Sequence, residues 1–114
     1  MREKLNELQK FIKKEKWLYV EEKYLESTPD KRMELAVELG KKPSDSGYNF
    51  LVQLLSDSDP AIVLQAVKSL GETAGDRIIA QFHWMLSKLT PEQTELKEKI
   101  LATITSVKTR ATIV

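Results

Sequence analysis

The chain of 114 residues has no cysteine. Disulfides, thiolate metal sites and cysteine nucleophiles are therefore excluded. Histidine occurs once, at His83, whereas a metal site usually draws on two or more His or Cys ligands at regular spacing. No HExxH, paired His, GxSxG or phosphate-cradling glycine loop is present. Charge of one sign is also missing. Eighteen Lys and Arg against seventeen Asp and Glu leave a net charge of +1, where a protein living on a phosphate backbone usually carries a clear basic excess. No stretch approaches the roughly 18 apolar residues of a membrane span. The N-terminal "MREKLNELQKFIKKEKW" is charged throughout and has no apolar core for a signal peptide. These absences lead to the expectation of a cytoplasmic protein with no membrane partner, no metal and no cofactor, and with nucleic acid an unlikely partner. At 41% hydrophobic and 31% charged, the composition is too apolar for disorder and fits one small domain spanning 1–114.

Glycine and proline are scarce too, four of each, and their positions carry the organisation. Three prolines stand at 29, 60 and 91, an interval of 31 both times. Thr28, Asp59 and Thr90 precede them. Thr and Asp are good N-caps, and Pro suits the first helical position because its missing N–H would be unsatisfied there anyway. The same interval aligns Leu8, Leu39, Leu70 and Leu101, as well as Val20, Leu51 and Phe82, and Tyr24, Leu55 and Leu86. Gly40 and Gly71 follow two of the leucines and suit a left-handed helix end, while Asp45 and Asp76 align as caps of intervening helices. Caps, stops and core positions that match together point to a repeat.

The unit is a pair of helices. The first helix of a pair is expected near Trp17–Glu26, Ser46–Ser56 and Arg77–Leu89, and the second near Pro29–Leu39, Pro60–Leu70 and Pro91–Val107. Apolar residues three and four apart, such as Phe50, Leu51, Leu54 and Leu55, support helices, and no segment alternates like a strand. A further helical segment from Arg2, with Leu5, Leu8, Phe11 and Ile12, precedes the first pair. No glycine or cap separates it from Trp17, so one long helix or two both fit. The expected division is an N-terminal helix over 1–15, repeats over 16–42, 45–73 and 76–107, and a tail over 108–114.

The stretch "FLVQLLSDSDPAIVLQAVKSLGETAGDRIIAQFHWMLSKL" resembles HEAT repeats, especially the short bacterial type first noticed in phycobilisome lyases. Leu51, Leu54 and Leu55, then Asp59-Pro60, Ile62, Ala66 and Leu70-Gly71 carry the likeness. It is strong over 47–107 and weaker but in register over 17–40. An Arg that the family often has near the start of the second helix appears as Arg32 but is replaced by Val63 and Thr94 later. The resemblance implies an all-α fold, an α-solenoid of stacked antiparallel helix pairs with about three 31-residue repeats and an extra N-terminal helix. It also implies a non-catalytic scaffold that holds another protein along an extended surface.

Two surfaces are candidates for that role. On the second-helix face, Val63, Leu64 and Val67 form an apolar spot on "PAIVLQAVKSL", and Trp84 and His83 lie on the apolar helix "DRIIAQFHWMLSKL". An exposed Trp is a plausible interface anchor. The second surface is a basic corner of Lys10, Lys13, Lys14, Lys41 and Lys42, with Lys10 and Lys41 one interval apart and expected as stacked neighbours. It suggests an alternative in which the protein binds nucleic acid or an acidic ligand. Two apolar helices and the terminal Ile113 and Val114 also make a homodimer possible.

Overall fold

The computed structural model describes residues 4–112. Arg2, Ile113 and Val114, which entered the sequence-based expectations, lie outside them. The described residues form helices and no strand. In order these are α1 Glu7–Lys13, α2 Trp17–Val20 continued by a π-helical turn Glu21–Leu25, α3 Pro29–Leu39, α4 Asp45–Leu54, α5 Pro60–Thr73, a 3-10 turn Gly75–Ile78 leading into α6 Ile79–Lys88, and α7 Thr94–Thr112. The all-α expectation therefore holds. The molecule measures 41 × 37 × 24 Å, and its shortest dimension is about two helix diameters.

Local chemistry sets most of the boundaries. Asn6 and Gln9 form a reciprocal capping box at α1, at 2.8 and 3.0 Å. Thr28 and Asp59 cap α3 and α5 with Pro29 and Pro60 at the first position, as expected. Ser44 rather than Asp45 caps α4, its Oγ accepting from Gly47 N–H at 3.0 Å, and Asp76 lies inside the 3-10 turn. The third proline breaks the pattern. The Gln93 side chain accepts from Thr90 N–H at 2.9 Å and holds 90–93 as a turn, so α7 begins at Thr94. From α3 to α5 the helix start advances 31 residues, and from α5 to α7 it advances 34.

That three-residue shift corrects the leucine ladder. Leu8, Leu39 and Leu70 are buried, but Leu101 is 44% exposed and Ile100, Thr103, Ile104 and Val107 face inward instead. The Val20, Leu51 and Phe82 column is fully buried throughout, so the extra residues fall between α6 and α7. Of the expected tail over 108–114, the described residues as far as Thr112 continue α7.

Gly71 is not a stop either, because α5 runs through it to Thr73. It is there for close approach, since a Cβ on Gly71 would overlap the Thr103 side chain of α7. Gly40 does the same at the preceding junction, its would-be Cβ 2.5 Å from Ser69 Oγ on α5. The left-handed glycine is Gly75, at φ +67. Glu15 is also left-handed, at φ 54, and it separates α1 from α2, so the N-terminal segment is two helices.

The core lies where α5 packs on α3, α4 and α7. A polar strut crosses it at the surface. Arg32 of α3 donates through Nε and a terminal nitrogen to Asp57 at 2.6 and 3.3 Å and to the Ser27 carbonyl at 2.6 Å. Asp57 also accepts from Asp59 N–H at 2.9 Å. Burial pushes the Asp57 carboxyl up, but the Arg32 hydrogen bond, the Asp59 amide and the Arg32 charge outweigh it and hold the group below the usual carboxylate range.

Candidate functional site

The second-helix face is largely consumed by packing. Val67 is fully buried and Val63 is 7% exposed, so both are core residues and correct the expectation of an apolar spot. Their position on α5, between α3 and α7, leaves them no open side. Leu64 alone reaches a shallow groove, among Ala61, Gln65, Lys68, Glu95, Glu98 and Lys99, and that setting is charged. Trp84 is 56% exposed on α6, with the Lys88 ammonium 5.9 Å above its ring, and His83 beside it is exposed.

The basic corner is two sites. Lys10 and Lys14, four residues apart, share one face of α1 and line a groove with Lys16, Phe11 and Tyr19. Lys13, four after Gln9, lies on another face and lines a cleft with Lys41 and Lys42. Lys10 and Lys41 therefore do not share a groove.

The second cleft, of about 560 Å³, is the larger of the two. Leu5, Ile12, Trp17 and Leu39 supply its apolar lining. Burial of Leu8 seats α1 against α2 and α3. Trp17 is fixed from behind by Phe50, ring centroids 6.0 Å apart and 65° between planes. Lys41 and Lys42 come from the connection to α4, which Ser44 ends by capping that helix. Lys41 Nζ is 2.9 Å from a Glu38 carboxylate oxygen, whereas Lys13 and Lys42 make no ion pair among the described residues. An apolar lining gains about 25 cal/mol for each Å² of apolar surface it covers, and the two unpaired ammonium groups attract negative charge at the mouth.

Sequence reasoning missed the outer surface beside α1. Phe11 and Tyr19 stack with centroids 5.6 Å apart and planes 19° from parallel, and Lys23 Nζ is 5.6 Å from the Phe11 ring. Leu18 next to them is 76% exposed. The available signal was helix phase. Val20 and Tyr24 mark the inward face of that segment, and Leu18 and Tyr19 fall off it.

Among the described residues no group of three or more His, Cys, Asp or Glu could hold a metal ion, and no helix is long and apolar enough to cross a membrane. Comparison with family models, with curated proteins and with solved structures finds no match.

Proposed function

We propose that the protein is a non-catalytic protein-binding module of the cytoplasm, a short HEAT-like solenoid whose docking site is the cleft walled by α1 and the α3–α4 connection. The observation that carries this reading is the pairing, in that cleft, of an apolar lining (Leu5, Ile12, Trp17, Leu39) with Lys13 and Lys42, which make no ion pair among the described residues. The solenoid assignment rests on the series of contacts α3 on α5 on α7, with α4 and α6 set against α5 and α7, and on the repeated close approach of Gly40 to Ser69 and Gly71 to Thr103.

The test is capture from lysate on immobilised wild type and on an Ile12→Asp variant, each first shown to melt cooperatively. A partner held by the wild type and lost by the variant supports the reading. Equal retention by both rejects this cleft. Nucleic-acid binding is a second reading, favoured by the lysines around the Phe11–Tyr19 stack. Its signature is an affinity that falls steeply with salt and with Lys10→Glu or Lys14→Glu.

A further inference from the structure

Resting on that reading, we infer that the occupant of the cleft is an acidic peptide segment with a bulky apolar anchor, and that Lys13 and Lys42 select for its charge. The argument is one of complementarity. The lining residues Ile12 and Trp17 are half-buried and Leu39 is buried, so an inserted aliphatic or aromatic side chain would complete a surface that water now wets. A cleft of about 560 Å³ is large enough for one or two such side chains, within the size range of ligand pockets. Around that lining the cations are unequal. The Lys41 charge is already matched by Glu38 at 2.9 Å, which leaves Lys13 on one wall and Lys42 on the other with charge to satisfy. A carboxylate on each side of a buried anchor meets that arrangement.

The same features argue against a polyphosphate chain in this place. Glu15 and Glu38 also line the cleft, and a continuous run of phosphates would meet them at close range. A peptide can place its acidic residues opposite the lysines and leave the two glutamates facing neutral positions.

The experiment is selection from a phage library of random dodecapeptides on the whole protein, followed by fluorescence polarisation with the selected peptides. The variants are Lys42→Glu, Lys13→Glu, Ile12→Asp and, as a charge-reversal control at an exposed position of α7 away from the cleft, Lys108→Glu. Selected peptides are expected to combine Asp or Glu with Leu, Phe or Trp. Reversing either cleft lysine should weaken binding by at least about tenfold, because like charges then face each other, and Lys108→Glu should leave it unchanged. Lys42→Glu is exposed and keeps the fold testable if Ile12→Asp unfolds the protein. Peptides without acidic bias, or binding insensitive to both lysine reversals, overturn the inference while the module reading stands. Recovery of no peptide at all sinks both. A single-stranded oligonucleotide that binds and is lost with Lys42→Glu overturns it in favour of a phosphate ligand.

Discussion

The junction of α3 with α5 and the junction of α5 with α7 solve the same packing problem by different means. Each brings a glycine of one helix against a short hydroxyl side chain of the next, Gly40 against Ser69 and Gly71 against Thr103. At the first junction the hydroxyl crosses over, and Ser69 Oγ donates to the Ala36 carbonyl of α3 at 2.6 Å. At the second the hydroxyl turns back on its own helix, Thr103 Oγ1 donating to the Lys99 carbonyl at 2.7 Å, and it is Arg110 that reaches the Gly71 carbonyl. The first junction also carries the Arg32–Asp57 strut. One 31-residue interval on, those positions are Val63, which is buried, and Lys88, whose ammonium lies over Trp84 instead. Close approach is thus the shared requirement, and each junction meets it with its own polar bond, Ser69 to the Ala36 carbonyl at the first and Arg110 to the Gly71 carbonyl at the second. The three residues inserted before α7 keep the close approach of Gly71 to Thr103.

The comparison can be broken most directly at the shared helix. Leu70→Ala, at a fully buried position of α5, should lower stability by about 2–5 kcal/mol, read from urea melts. The strut comes next. Arg32→Ala leaves the 6%-exposed Asp57 carboxylate without its charged donor and should cost about 1.5–3 kcal/mol near neutrality. Its pH dependence has a definite sign. The folded Asp57 pKa is lowered, so the strut's contribution is complete above the unfolded carboxylate value of about 3.9 and disappears as pH falls through the folded one. Wild type and Arg32→Ala should therefore converge in stability in acid, and a gap that stays constant down to pH 3 would refute this account.

Gly71→Ala sharpens the second junction. The added methyl meets Thr103, and an overpacking penalty of about 1–3 kcal/mol should exceed the gain of roughly 1 kcal/mol in helix propensity. Combining it with Thr103→Ala should restore much of the loss, a non-additivity that a double-mutant cycle measures. The smallest effect belongs to Leu101→Ala. With α7 starting 34 residues after α5, this change at a 44%-exposed position should move stability by less than about 0.5 kcal/mol. A loss comparable to that of Leu70→Ala would return Leu101 to the buried ladder.

Helix starts at Thr28-Pro29 and Asp59-Pro60 were legible because capping is chemistry between residues two or three apart. Thr90-Pro91 presents the same local signal, yet there Gln93 supplies a competing acceptor to Thr90 N–H, and a regular spacing of prolines hides the change. The break at Glu15 was invisible, since left-handed backbone at a glutamate has no signature in residue type. Of the site, the grouping of Lys13 with Lys41 and Lys42 was readable, but not its separation from Lys10. That separation depends on which face of a seven-residue helix docks, a tertiary fact. Val63 and Val67 looked available for the converse reason. Composition marks a helix that is apolar nearly all round, and only the neighbours on both sides tell whether those faces are covered.

Glu15 bears on the order in which the molecule opens. A non-glycine residue held in the left-handed region stores about 1–3 kcal/mol, and lifting α1 releases it. Among the helices, α1 is short and rests on α2 and α3 alone in its main contacts. Its backbone amides should exchange with solvent deuterium before those of α5, as a local opening that leaves the rest folded. One wall of the cleft is therefore hinged while the opposite side, built on α3, is fast.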